Sequence, residues 1–231
     1  MNIYLLRHGT TEWNTSFRIQ GQTDIPLDAE GERIAKRTGE SLLAEGIIFS
    51  HVFSSPLRRA YRTAQLAAPY ADIVADPRIT ELNFGSFEGI PVQEMLQDES
   101  CAFRFFRSDP LRYNEEILRL IAADPDSAYE SLLTLCARTE NFLADVVEPL
   151  VRIESAGTNI LISGHGAMNR GLMMHFTNSK DLRTFWGRGL QANCGIFIIE
   201  ASVSESGEVI YRTDESCRVF YDTDKPIPSL L

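Results

Sequence analysis

Two segments of this chain follow one plan. Asn2-Ile3-Tyr4-Leu5-Leu6-Arg7-His8-Gly9 and Asn159-Ile160-Leu161-Ile162-Ser163-Gly164-His165-Gly166 each carry a short apolar run into a histidine followed by a glycine. Such a run reads as a buried strand, and each histidine then sits at a strand's carboxyl end. In open α/β sheets that edge is where ligands bind, so two such strands side by side and parallel would bring His8 and His165 to one crevice. The glycine behind each histidine lets a ligand approach the backbone. A lone histidine at a strand terminus is as readily structural; the repetition makes a shared site the better reading.

The rest of the chain alternates in the way a parallel sheet needs. Asp28 to Ala44 carries helical apolar positions at Ile34, Leu42 and Leu43, and His51 to Ser54 reads as a second strand. Ser55-Pro56 then offers an N-cap and a first-turn proline to a helix that runs to Pro69. Asp72 to Ala75 is a brief third strand, a helix is expected from about Ser127 to Ile153, and another from Ala167 to Phe176. Two strands, Gly195 to Glu200 and Glu208 to Arg212, close the pattern around a turn at Ser204 to Gly207. The expectation is a single α/β domain over residues 1–231 with a mostly parallel sheet. The stretch from about 87 to 126 breaks the rhythm with Pro91, Pro110 and Pro125, a Phe103, Phe105, Phe106 cluster and several arginines, and reads as an insertion over the sheet.

Charge narrows the ligand. The formal net charge is −10, which argues against general affinity for nucleic acid or an anionic membrane, so an anionic ligand would have to be drawn by a local arginine cluster. Arg7 precedes His8, and Arg58 falls in the first turn of the helix opened by Ser55-Pro56, where free backbone N–H groups favour an anion. Arginine donates paired hydrogen bonds to a phosphoryl group in a way lysine cannot match. Two arginines and two histidines converging on one crevice make a phosphate pocket, while Arg59 and Arg62 read as a solvated helix face. No apolar run approaches the ~20 residues of a membrane span, no secretion signal is visible, and Cys101, Cys136, Cys194 and Cys217 lack metal-ligand spacing. A cytoplasmic protein with reduced thiols is expected.

The segment Leu6-Arg7-His8-Gly9-Thr10-Thr11-Glu12-Trp13-Asn14 resembles the signature of the histidine phosphatase superfamily, with its phosphoglycerate mutase-like fold. Further blocks follow in the same order: Gln20-Gly21-Gln22-Thr23-Asp24-Ile25-Pro26-Leu27, Ser54-Ser55-Pro56-Leu57-Arg58-Arg59-Ala60 with Thr63-Ala64, Glu81-Leu82-Asn83-Phe84-Gly85 with Glu88-Gly89, and Ser163-Gly164-His165-Gly166. The resemblance implies a three-layer α/β/α sandwich with an inserted helical lid. It implies His8 as the nucleophile, Arg7, Arg58 and His165 as holders of the phosphoryl oxygens, and Asn14, Gln20 and Gly21 as further lining of that pocket. Glu81 would be the proton donor, with Glu88 and Glu12 next in line. No cofactor and no metal is needed, because the arginines supply the positive charge. His51 and His175 have no matching role and are taken as structural or exposed.

Within such a family the reaction is either hydrolysis of a phosphomonoester through a phosphohistidine or a mutase transfer, and a non-catalytic binder of phosphorylated ligands is a third possibility. Mutases of this type grip phosphoglycerate with a lysine and an arginine pair from the insertion. Here no lysine lies between Lys36 and Lys180 and no Arg-Arg pair lies in the insertion, so a phosphatase acting on a small phosphorylated metabolite is expected. Phe103, Arg104, Phe106 and Arg107 are the candidates for substrate selection; the alternative is that the insertion only packs as a cap.

Overall fold

The computed structural model describes residues 1–221. Six strands form one sheet in the order β3-β2-β4-β1-β5-β6: β1 (Asn2–Arg7), β2 (His51–Ser54), β3 (Ile73–Ala75), β4 (Asn159–Gly164), β5 (Ile196–Val203) and β6 (Val209–Arg212). The first four are mutually parallel and β5 and β6 run antiparallel at one side. Alternation along the central strands explains the layering. Ile3, Leu5, Ile160 and Ile162 enter one core, and Tyr4, Leu6 and Leu161 the other. Both sheet faces are therefore apolar and both need helices. The architecture is an α/β fold with a mostly parallel mixed sheet flanked by helices, as expected.

The Tyr4 face is covered by α2 (Ala29–Ala44) and α3 (Arg58–Ala67), after a one-turn helix α1 (Glu12–Thr15). The Asp28 carboxylate caps α2 by accepting from Gly31 N at 2.6 Å and also accepts from Thr10 Oγ1 at 2.7 Å, tying the helix to the segment that leaves β1. Gly9 is required there, because a Cβ would lie 2.5 Å from the Gly31 carbonyl oxygen.

The opposite face carries α7 (Leu132–Phe142), α8 (Glu148–Ile153) and α9 (Gly166–Phe176). The single helix expected from Ser127 to Ile153 ends where expected but is corrected at its start and in its middle. Ser131 caps Leu132 through Thr134 N, and Leu143–Val147 forms a wide π turn ahead of α8. Pro149 sits in the first turn of α8 and has no N–H for the carbonyl four residues back, so the ladder widens where it arrives.

The insertion is helical: α4 (Val92–Gln97), a 3₁₀ turn at Ala102–Arg104, α5 (Phe105–Ser108) and α6 (Pro110–Ala123), the last with Asp109 as N-cap and Pro110 at its first position. Phe103 and Phe106 are buried in the larger core. His51 pairs with Glu154 at 3.0 Å and His175 faces the Cys136 carbonyl at 2.9 Å, both far from the histidine pair in role and partner. The four cysteines are free thiols, and among the described residues no helix is long and apolar enough to cross a membrane.

Candidate active site

The register of β1 on β4 sets Leu6 opposite Ser163 and Arg7 opposite Gly164, and His8 N donates to Gly164 O at 3.0 Å. One step further along both strands come the two histidines, edge to face, with ring centroids 5.2 Å apart. His8 Nδ1 donates to the carbonyl of Gly9 at 2.6 Å, which fixes the tautomer and leaves Nε2 as the nitrogen with a lone pair. Burial first, then Arg59 and Arg7, hold the His8 pKa well below its ordinary value, so the imidazole is neutral. His165 is fully buried and likewise held neutral by burial, Arg59 and His8. Neither of its ring nitrogens has a hydrogen-bond partner in the protein. Leaving such a group unpaired costs about 1–3 kcal/mol, a penalty that an anionic oxygen at that position would relieve.

The cationic groups have buried supports. Arg7 Nη1 donates to Gln191 O at 2.5 Å and its Nε is unpartnered. Gln191 in turn donates to Leu5 O and Gly195 O, and Asn193 Nδ2 donates to His8 O at 3.0 Å and Gly9 O at 3.2 Å. The loop before β5 thereby holds the backbone on which His8 stands.

The structure overturns the expected placement of Arg58. The helix starts at Arg58 rather than at Pro56, with Leu57 at the cap, so Arg58 and Arg62 fall on the outer face and Arg59 and Thr63 on the inner one. Arg58 is largely exposed and pairs with Asp24 at 3.2 Å. Arg59 is fully buried, donates to Thr23 O at 3.0 Å and Gly21 O at 2.5 Å, and lowers the pKa of both histidines. Of the two neighbours, Arg59 and not Arg58 is the one whose charge, with that of Arg7, acts on the histidine pair. Gly21 is also corrected. It does not line the cleft but supports Arg59 through its carbonyl, and a Cβ there would lie 2.1 Å from Glu88 Oε1.

Glu81 stands at the start of α9. Its carboxylate accepts from Leu82 N and Met168 N at 2.9 Å and from Ala167 N at 3.1 Å. Burial raises its pKa, and these three N–H groups and Arg59 only partly oppose the rise. Arg138 donates to the carbonyls of Arg78, Thr80 and Glu81 while bridged to Glu130, which fixes the segment that leaves the 3₁₀ turn Pro77–Ile79 and leads to Glu81. The other two carboxylates are occupied elsewhere or remote. Glu88 accepts from the backbones of Gln22, Thr23 and Phe84, and Glu12 is exposed in α1.

Arg7, His8, Asn14, Gln20 and Glu81 line a cleft of about 200 Å³ at the carboxyl edge of the sheet, while His165 lies behind its wall. Asn14 Oδ1 accepts from Thr11, and Gln20 Oε1 accepts from Thr11 Oγ1 at 2.9 Å while its Nε2 is unpartnered. The outer wall comes from the insertion and from a distant loop: Phe103, Arg104, Phe106 and Arg107 with Trp186. Trp186 Nε1 donates to Phe106 O at 2.6 Å, and Arg107 lies over the indole at 5.4 Å. Arg59, Gln191, Asn193 and Trp186 were not expected from sequence. A helix beginning at Arg58 would have exposed the first, but no periodicity marks the other three.

Comparison with known proteins agrees with this geometry. The model of the histidine phosphatase superfamily (branch 1) matches residues 3–211, and the chain belongs to that family. It is 36% identical over 197 residues to a 2,3-bisphosphoglycerate-dependent phosphoglycerate mutase of Corynebacterium diphtheriae, covering 78% of each chain. Among solved structures it resembles YhfR of Bacillus stearothermophilus, with a TM-score of 0.75, 26% identity and coverage of 95% of this chain and 99% of that one. A mycobacterial glucosyl-3-phosphoglycerate phosphatase shares the fold at a TM-score of 0.72 and 23% identity, covering 92% of this chain and 96% of that one.

Proposed function

We propose that the protein hydrolyses phosphomonoesters through a phosphohistidine on His8. Nε2 of the neutral imidazole attacks phosphorus, the P–O bond to the substrate alcohol breaks, and the departing oxygen takes a proton from Glu81. Arg7 faces the charge on the non-bridging oxygens from the cleft wall, with Asn14 and Gln20 beside it, and Arg59 and His165 act on that charge from behind the wall. Water then attacks the phosphohistidine with Glu81 as base, returning His8 and releasing phosphate. A raised carboxyl pKa suits the first role, and the Nδ1 bond to Gly9 suits a nucleophile that must not be protonated at Nε2. No step calls on a cofactor or metal.

The observation that favours hydrolysis over transfer is the outer wall, which has no lysine and is mostly apolar. The likeness to a phosphoglycerate mutase favours the second reading, in which a phosphoglycerate oxygen replaces water. Incubation with 3-phosphoglycerate and a catalytic amount of 2,3-bisphosphoglycerate separates them. Release of inorganic phosphate from several phosphomonoesters, with little 2-phosphoglycerate formed, supports hydrolysis. Isomerisation outrunning phosphate release by orders of magnitude would overturn it, and failure to turn over even p-nitrophenyl phosphate would leave only a binding protein.

A further inference from the structure

Beyond the histidines the cleft has a consistent chemistry. Ile19, Phe84, Phe103, Phe106, Trp186 and Leu190 wall it, and α4 adds Val92 and Leu96 at an i, i+4 spacing on one helix stripe. Leu96 is 50% exposed, while Met95 beside it is buried in the core. A leucine left in water at the mouth of an apolar cleft is a surface available to a ligand. Sugar and polyol recognition would require hydrogen-bonding side chains along this wall, and among the described residues, beyond Asn14 and Gln20, the only uncharged polar side chain lining it is that of Ser108. Besides Arg107, which lies over the Trp186 indole at 5.4 Å, the outer cations are Arg18, which donates to Gly89 O at 2.7 Å, and Arg104, which donates to Glu99 O at 3.0 Å. Neither is within 4 Å of a carboxylate among the described residues.

We infer that the substrate is an amphipathic phosphomonoester: a phosphoryl end, an apolar alkyl or aryl body against α4, Phe103, Phe106 and Trp186, and a second anionic group at the mouth facing Arg18 and Arg104. This rests on the hydrolase reading and deepens it. Remote apolar contacts raise kcat/KM where they persist in the transition state, by up to about fourfold per methylene buried.

The test compares alkyl esters of similar leaving-group basicity, so that intrinsic reactivity does not decide the ranking. Hexyl and benzyl phosphate are set against glycerol 3-phosphate and glucose 6-phosphate, and hexyl phosphate against the phosphate ester of 6-hydroxyhexanoate. The expected result is kcat/KM at least about tenfold higher for the apolar esters than for the polyol esters. The carboxylate should add a further factor of about five, lost in Arg18→Gln or Arg104→Gln. Polyol phosphates equal to or better than the apolar esters would overturn the substrate class while leaving the hydrolase intact. A carboxylate effect absent from the parent protein, or unchanged in both variants, would overturn the anionic end. No phosphate release from any ester would instead sink the hydrolase reading beneath it.

Discussion

Exchanging Arg58 and Arg59 as targets gives the sharpest test of the site, because neighbours in sequence have opposite surroundings. Arg59→Met keeps much of the stem volume and removes the charge. It forfeits two hydrogen bonds from a buried guanidinium to the Gly21 and Thr23 carbonyls, each worth about 1.5–3 kcal/mol, and the charge that the proposed mechanism sets against the phosphoryl oxygens. Loss of one preorganised donor to developing charge typically costs 10²–10³ in rate, about 3–4 kcal/mol. The expected kcat/KM is therefore down at least about 100-fold, and stability down by about 3–6 kcal/mol by urea titration. Arg58→Ala removes an exposed pair with Asp24 worth about 0–1 kcal/mol and should leave kcat/KM within about threefold. A second readout guards against mere misfolding of the Arg59 variant. Arg59 is the largest charge lowering the His8 pKa after burial, so the acidic limb of kcat/KM against pH should move to higher pH in Arg59→Met and much less in Arg59→Lys. A 100-fold loss in Arg58→Ala with little loss in Arg59→Met would refute the assignment, as would an unmoved acidic limb.

Rapid quench of the parent protein with substrate should trap a phosphoryl group on His8 that is stable in alkali and lost in acid, and His8→Ala should abolish both adduct and turnover; phosphate found on another residue would refute this. Glu81→Gln should slow alkyl phosphates far more than p-nitrophenyl phosphate, whose leaving group needs no proton, and equal losses would move the acid elsewhere. The pH dependence of stability follows from two histidines whose folded pKa values lie below the unfolded value of about 6.5. Below that pH the unfolded chain takes up two protons that the folded one refuses, so stability is full above about 6.5 and falls beneath it by up to about 2.7 kcal/mol per pH unit. Glu81 has the opposite sign, since its raised folded pKa returns some stability as it protonates. Urea midpoints that stay level from pH 7 to 5.5, or an identical slope in His165→Gln, would contradict this.

The sheet and the histidine pair were legible because they rest on local signals: an apolar run, a histidine and a glycine, written twice, with helices between. Arg58 was misread because its place in the first helical turn does not say which face it occupies, and at 100° per residue its neighbour Arg59, with Thr63 four positions on, turns inward instead. Pro149 was passed over inside a long periodic stretch, though its missing N–H is what widens the turn before α8. Gln191 and Asn193 act through main-chain carbonyls of β1 and its exit, partners 184 or more positions away, so nothing in their neighbourhood announces them. Trp186 and Phe106 meet across 80 positions for the same reason.

The pairing of β1 with β4 has a consequence for how the chain becomes active. Paired residues such as Asn2 and Asn159 are 157 positions apart, and the Asn193 support of His8 comes 185 positions after it. A chain emerging amino end first carries His8 from the outset, yet the groove beside it closes only when β4 is inserted between β1 and β2 and the loop before β5 has docked. Contacts of such long range form late and slowly. A partly synthesised chain therefore has His8 and Arg59 without His165 beside them and without the loop that holds the backbone of His8. Under the proposed mechanism, turnover then reports assembly of the central strands with the loop before β5 rather than of any one segment.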